Sequence, residues 1–337
     1  MKFLRYILLV PLSWLYGLGV GLRHMLYDMH ILHSRKVNVH TICVGNLAVG
    51  GTGKTPHIEW LIRELSPQYK VAVLSRGYRR RSHGFVMADA SSTANELGDE
   101  CMQLHSKFPD VPIAVCKNRK EGIDQLQKLC PDLDVVLLDD AYQYRRLQCG
   151  FYVLLTTADR LYTEDRLLPA GRLRDFAWQS HKANAVIVTK CPDTMTAIDR
   201  RVVSHSLQLP AYQNLFFSHI CYDELPEFKR ALLVTGIARP EYLRQYIESK
   251  TDRQKSSFIH LSYPDHHSFS KADIRRMTEE AQKVDIVLTT EKDFARLQAM
   301  ELPENLKIKL KPIAITVKLS DENLLLEQIK HYLQLCI

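Results

Sequence analysis

The sequence predicts an α/β protein: a parallel sheet covered by helices, preceded by an N-terminal helical segment and followed by a second, smaller α/β unit. Three observations carry that expectation. From residue 37 onward, short apolar runs of strand length alternate with helix-like segments, the pattern of a parallel sheet with helices on both faces. A glycine-rich loop, Gly50-Gly51-Thr52-Gly53, stands between the first such run and the first helix-like segment after it. The chain has 337 residues, more than one hydrophobic core usually holds, so two domains are expected.

The chain opens with an uncharged stretch of 17 residues, 6–22, with Lys2 and Arg5 before it and Arg23 after it. A spanning helix wants about 20 apolar residues, and Pro11, Ser13 and the series Gly17, Gly19, Gly21 weaken that reading. A signal peptide fits the basic start and the small residues near Gly21, but export conflicts with the nucleotide site described below. The preferred reading is a membrane-associated helix or helical hairpin lying in the interface, with Trp14, Tyr16 and Tyr27 at headgroup level. A helix packed on its own domain is the plainer alternative.

Residues 39–44 then read as a buried strand and 56–65 as a helix with Pro56 in its first turn. Residues 71–74 form a second strand, running into Ser75-Arg76-Gly77-Tyr78 and a basic loop, 79–81. Segments 100–107 and 119–129 look helical, while 113–115, 135–138, 151–155 and 185–188 are further apolar runs of strand length. Between 205 and 230 the alternation breaks, and 212–220 resembles an extended ribbon. A second alternating block follows, with strands at 231–235, 258–261, 286–288 and 313–317 and a closing helix at 324–333. The expected organisation is therefore 1–33 as the membrane-associated segment, 34–204 as a P-loop NTPase-like domain, 205–230 as a ribbon linker and 231–337 as a C-terminal α/β domain.

The net charge of +7 is spread along the chain and suits an acidic partner: nucleotide phosphates, a phosphorylated substrate or an anionic membrane. No zinc-finger, KH or RRM signature supports nucleic acid, and no obligate protein partner is inferred. The eight cysteines stand far apart with no CxxC pair, which argues against zinc ribbons and redox motifs and for a reducing cytosolic compartment.

Ala48-Val49-Gly50-Gly51-Thr52-Gly53-Lys54-Thr55 has the form of a Walker A loop, with Ala48 where the strict pattern has glycine. Its glycines let the backbone wrap phosphate with N–H groups. Lys54 reaches the β- and γ-phosphates of ATP, the Thr55 hydroxyl ligates Mg²⁺, and the following helix points its positive end at the anion. The apolar run 133–138 followed by Asp139-Asp140 fits a Walker B strand, with Asp139 favoured over Asp140 as the Mg²⁺ partner. A GTPase would read guanine through an [N/T]KxD segment, but Thr189-Lys190-Cys191-Pro192-Asp193 and Thr290-Glu291-Lys292-Asp293 both have the wrong spacing. A non-catalytic nucleotide-binding scaffold is the other alternative.

Several segments together resemble one family, the tetraacyldisaccharide 4′-kinases of lipid A biosynthesis. They are Val44-Gly45-Asn46-Leu47 running into the phosphate loop and Pro56, Ser75-Arg76-Gly77-Tyr78, Gly98-Asp99-Glu100, and Asp139-Asp140-Ala141-Tyr142-Gln143. Leu168-Pro169-Ala170-Gly171-Arg172-Leu173-Arg174, Tyr263-Pro264-Asp265-His266-His267 and Thr290-Glu291-Lys292-Asp293 complete the set, in order over nearly the whole chain. The resemblance implies transfer of the ATP γ-phosphate to the 4′-hydroxyl of a tetraacyldisaccharide 1-phosphate, a lipid disaccharide substrate, by a cytoplasmic enzyme attached to the inner-membrane surface. It further implies that Asp99 and His266 form the acid–base pair. Arg172 and Ala141-Tyr142 depart from the family pattern, at positions the resemblance implies tune the acceptor pocket and its acyl-chain preference.

Each of these residues has a bland alternative. Asp99 follows a glycine and precedes a helical run, so it suits a helix N-cap. His266 and His267 adjoin a turn proline, and the Asp-His-His context favours His266. Arg76, Arg119 and Arg174 are candidates for contacting the triphosphate or the substrate's 1-phosphate, and Gln143 for supporting the Mg²⁺ shell.

Overall fold

A computed structural model describes residues 2–251, 256–265 and 267–335, with side chains from residue 9 onward. Helix α1 (Lys2–Asp28) leads into strand β1 (His40–Asn46) and helix α2 (Lys54–Leu65). There follow β2 (Val71–Ser75), β3 (Val86–Met87), α3 (Ala94–Leu97), α4 (Asp99–Lys107), β4 (Ile113–Val115), α5 (Arg119–Leu129) and β5 (Val135–Asp139). Then come β6 (Phe151–Thr157), β7 (Ala185–Thr189), α6 (Ala197–Leu207) and β8 (Asn214–Tyr222). The next elements are β9 (Arg230–Thr235), α7 (Glu241–Lys250), β10 (Ser257–Ser262), α8 (Lys271–Ala281), β11 (Ile286–Thr290) and α9 (Glu291–Gln298). The chain closes with α10 (Glu304–Lys309), β12 (Leu310–Ile313), β13 (Ile315–Leu319) and α11 (Glu322–Gln334).

The large sheet runs β13-β8-β7-β6-β1-β5-β2-β4-β3 and is parallel except at its ends, where β3 and β13 pair antiparallel. Its middle strands are buried on both faces, which is why they read as unbroken apolar runs. Alternate side chains feed two cores. Ile42, Val73, Val135 and Leu137 pack with α2, α4 and α11, whereas Cys43, Leu74, Val136 and Leu138 pack with α5 and the segments around Tyr142 and Leu173. A second, wholly parallel sheet runs β10-β9-β11-β12, with its own cores on either side.

Two expectations meet a different arrangement. The ribbon expected within 205–230 contains β8, a full member of the large sheet, which pairs with β7 and buries Phe216 and Phe217. The run expected as one strand at 313–317 divides at Ala314: β12 stays in the small sheet while β13 crosses back to pair with β8. Helix α11 follows it, and Leu325, Ile329 and Leu333, one turn apart, seal the core of the large sheet. Strand-length runs look alike in either sheet, so residues 315–334 carry no local mark of which unit they complete.

Helix α1 lies along the large unit. One face is packed: Ser13 and His24 are buried, and a Cβ on Gly17 would stand 3.0 Å from Leu167. The other face exposes Trp14, Leu15, Leu18, Leu22 and Met25, with Trp14 and Leu18 both 70% exposed. Among the described residues no helix is long and apolar enough to cross a membrane.

Candidate active site

Strand β1 delivers Asn46, fully buried, to the start of the phosphate loop, and α2 begins where the loop ends. Gly50 (φ 110°) and Gly53 (φ 86°) sit in backbone conformations that a side chain would strain. The loop's carbonyls are tied back into the protein. Lys190 Nζ donates to Gly51 O (2.6 Å), Thr189 Oγ1 to Thr52 O (2.8 Å) and His57 Nδ1 to Gly53 O (2.7 Å). In a trans peptide the N–H of the next residue points opposite to the carbonyl. Anchoring these three oxygens therefore turns the N–H groups of Thr52, Gly53 and Lys54 towards the open side, where they form an anion cradle at the start of a helix. His57 Nε2 accepts from Ser218 Oγ (3.0 Å), and burial pulls this imidazole down to about 4.

Across the cradle lie the two carboxylates, and their environments differ. Asp140, in the left-handed region (φ 48°), receives Arg174 Nη1 and Nη2 in a two-pronged pair (2.9 and 2.8 Å), with Lys54 Nζ 3.8 Å away. Burial works against its charge, but the Arg174 bonds and the charges of Lys54, Arg174 and Arg119 prevail and hold it down to about 2. Asp139 is almost wholly buried; its Oδ2 accepts from Ser75 Oγ (3.0 Å), and its Oδ1 has no hydrogen-bond partner among the described residues. Burial first, then the charges of Glu100 and Asp140, push it up to about 7 against the pull of Lys54 and Ser75. A buried carboxylate oxygen without a donor is what a cation site leaves behind when the protein alone is considered. Asp139 at the end of β5 and Thr55 in the first turn of α2 thus suit Mg²⁺. Among the described residues, no group of three or more His, Cys, Asp or Glu is placed to hold a metal ion.

The other expected residues divide. Gln143 Nε2 donates to Asn46 O (2.6 Å), and Arg174 Nη2 donates to the same carbonyl (3.1 Å) and to Asn46 Oδ1, so both brace the loop's entrance. Arg119, 3% exposed, opens α5, stacks over the Tyr144 ring and donates to the Cys116 and Lys117 carbonyls, while its Nε has no partner. Arg76 stands exposed after β2. Asp99 opens α4, but the capping position belongs to Gly98, whose positive φ brings it so close to Tyr78 O that a Cβ would lie at 2.7 Å. His266 lies outside the described residues. Its neighbour His267 is bound to Asp273 Oδ2 (3.0 Å) and stacked on Tyr263, a placement that ties it to the start of α8.

The sequence reading missed Arg296. From α9 of the smaller unit it reaches Asp99 Oδ2 with Nε (2.9 Å) and Nη2 (2.5 Å), while Nη1 holds the fully buried Asp293 Oδ1 (2.9 Å). The available signal was helical spacing: Arg296 falls three residues after Asp293, on the same face. Asn46, His57 and Lys190 were likewise passed over as supports of the loop. A cavity of about 200 Å³ lies on the β6 side of the loop, lined by residues 47–52 and by Thr156, Arg160, Asp165, Arg172 and Arg239. Arg172, one of the departures from the family pattern, borders this cavity and faces Asp165 Oδ2 at 3.6 Å.

The geometry can be set beside known proteins. The family model for tetraacyldisaccharide-1-P 4′-kinase (LpxK) matches residues 5–334. The chain belongs to this family. A tetraacyldisaccharide 4′-kinase of Parabacteroides distasonis is 43% identical over 313 residues, covering 86% of this chain and 84% of that one. The Flavobacterium johnsoniae enzyme of the same name is 44% identical over 318 residues, 91% of each chain. Among solved structures, the "apo" form LpxK from Aquifex aeolicus in complex with ATP superposes with a TM-score of 0.74 at 26% identity, covering 96% of this chain and 98% of that one. The mostly parallel α/β architecture is thus that of the family.

Proposed function

We propose that this chain transfers the γ-phosphoryl group of ATP to the 4′-hydroxyl of a tetraacyldisaccharide 1-phosphate in lipid A biosynthesis. The observation that carries this reading is the anion cradle at Lys54 facing Asp139 and Asp140, in a chain of the 4′-kinase family. The cradle amides and Lys54 hold the β- and γ-phosphates, and the adjoining cavity receives the nucleoside. Thr55 and Asp139 would hold Mg²⁺, which would supply positive charge against that developing on the transferring group. Asp140 is a different kind of carboxylate: locked to Arg174, it orients Lys54 rather than binding metal.

In the transfer, the acceptor's 4′-oxygen forms a bond to the γ-phosphorus as the bond to the β–γ bridging oxygen breaks, and the hydroxyl proton passes to Asp99. Asp99 stands on the P-loop unit with Arg296 of the smaller unit against it, and we assign His266 as its partner in the acid–base pair. Arg76 and Arg119 supply positive charge for the acceptor's 1-phosphate. The exposed apolar face of α1 lies in the cytoplasmic leaflet of the inner membrane, giving a peripheral or monotopic enzyme that meets its lipid at the surface. The P-loop unit and the smaller α/β unit then act as two bodies around a closing cleft.

The test is direct. Purified enzyme is incubated with γ-labelled ATP, Mg²⁺ and tetraacyldisaccharide 1-phosphate, and the lipid is separated and its labelled position determined. Label at the 4′-position is expected. Release of phosphate without labelled lipid, or a preference for GTP, would overturn the reading in favour of a hydrolase, scaffold or GTPase.

A further inference from the structure

Helix α1 is read above as the contact with lipid, but its inward face makes polar bonds that a mere anchor does not need. Tyr16 OH donates to Arg174 O (2.8 Å). Arg23 Nη2 donates to Gln143 O (2.7 Å). Ser13 Oγ donates to Leu167 O (3.0 Å) and accepts from Ala170 N (2.9 Å). His24 Nε2 meets Asp175 Oδ1 at 2.6 Å, both groups being buried. These targets lie in two segments, 139–145 and 167–175, with a longer contact from His24 Nδ1 to Gln179 Nε2 (3.4 Å) just beyond them. Those two segments supply Gln143 and Arg174, which converge on the Asn46 carbonyl at the mouth of the phosphate loop. Arg174 also carries the two-pronged bond to Asp140, 3.8 Å from Lys54.

Two short bonded paths therefore join the helix to the cradle: Tyr16–Arg174–Asn46 and Arg23–Gln143–Asn46. We infer that Tyr16 and Arg23 are positioning residues for phosphoryl transfer, and that the inward face of α1 sets the geometry of the nucleotide site independently of membrane attachment. A small residue assists the approach at one point, since a Cβ on Gly17 would stand 3.0 Å from Leu167. The inference rests on the phosphate-loop reading above. On this inference, removal of residues 1–33 lowers nucleotide affinity along with lipid affinity, because the supports of Gln143 and Arg174 leave with the helix.

The experiment uses the full chain in detergent, without lipid, and titrates fluorescent ADP with Mg²⁺. Vesicle co-sedimentation and thermal unfolding are measured in parallel. For Arg23→Ala, about tenfold weaker ADP binding is expected, because a hydrogen bond from a charged group is lost. Arg23→Lys, which keeps a charged donor, should recover most of it. Tyr16→Phe removes one hydroxyl and keeps the packing, so it remains informative if the arginine variant fails to fold; about threefold weakening is expected. Vesicle partition should stay at the wild-type level in all three. Wild-type ADP affinity in Arg23→Ala and Tyr16→Phe, with or without a loss of vesicle binding, overturns the inference and leaves α1 as an anchor. Lys54→Ala is titrated alongside: unchanged ADP binding there refutes the phosphate-loop reading itself, whatever the helix variants do.

Discussion

His57 offers a prediction whose size follows from the structure. Its ring is 2% exposed, donates from Nδ1 to the Gly53 carbonyl and accepts at Nε2 from Ser218. Both ring nitrogens are thus committed to the neutral form, and a second proton would break the Ser218 bond and bury a charge, so the group sits at about 4 in the fold. In the unfolded chain a histidine titrates near 6.5. Between those values the unfolded state binds the proton and the native state does not, so stability falls as pH falls, beginning below about 6.5 and levelling off below about 4. Going from about pH 7.5 to about pH 5, the loss from this one group is on the order of 2 kcal/mol. Other groups titrate in the same window, so the assay compares two proteins: urea unfolding of wild type and His57→Gln at both pH values. The glutamine variant should start less stable at about pH 7.5, by roughly 1 kcal/mol for a weakened hydrogen bond, and should lack the additional acid-driven loss of about 2 kcal/mol. Parallel losses in the two proteins would mean that His57 is not held neutral, and the argument for how the Gly53 carbonyl is anchored would fail.

Lys54→Ala should keep the wild-type unfolding midpoint within a few degrees and lower kcat by a factor of about 10² or more, since electrostatic stabilisation of the transferring group is removed; steady-state kinetics beside a thermal melt checks both halves. Asp139→Asn should raise the Mg²⁺ concentration needed for half-maximal rate about tenfold or more, because a ligand charge is lost, and a magnesium titration at saturating ATP reads this; an unchanged titration would transfer the metal to Asp140. Asp99→Asn should lose about 10²–10⁴-fold in kcat, as expected for a general base, with nucleotide affinity preserved. Arg296→Lys should lose less than Arg296→Ala, because one charged donor remains against Asp99; equal losses in the kinetic assay would remove Arg296 from the site.

What the sequence disclosed of this fold depended on whether the signal was local. The order glycine-rich turn, Lys54-Thr55, proline-led helix is written in consecutive residues, and the loop stands where it was expected. The alternation of apolar runs likewise announced the buried parallel strands, since burial on both faces demands it. The partners of the site are another matter. Asp139 and Asp140 are adjacent and look alike, yet one keeps a buried oxygen without a donor and the other is clamped by Arg174, 34 residues away. Nothing near Asp99 announces Arg296, which is 197 positions distant and arrives only because α9 packs beside α4. The exposed, apolar half of α1 is visible in its composition, whereas the gripping role of Tyr16 and Arg23 depends on segments well over a hundred residues downstream.

The seam between the two sheets bears on how such an enzyme can close and open. Each sheet buries its own apolar cores, and no residue is shared between those of the large unit and those of the small one. Apart from Tyr222 at the end of β8, which stacks on Tyr246 of α7 at 4.7 Å, what crosses the seam is largely polar. Arg296 meets Asp99, Lys292 meets Glu100 at 3.4 Å, Arg239 meets Asp159 at 2.5 Å, and Lys107 bridges Glu59 (2.7 Å) and Glu291 (2.6 Å). Water can replace the partners when such pairs separate, whereas opening a core exposes buried apolar surface. The covalent link is stiffer: the chain leaves the large sheet through β8 and returns through β13, and these two strands lie hydrogen-bonded side by side from Ser218 to Tyr222. In the proposed two-body arrangement, the doubled strand at one edge serves as the hinge and the exchangeable ion pairs as the clasp. Because Asp99 is one of the clasped residues, the pair that holds the units together also positions the carboxylate proposed above as base.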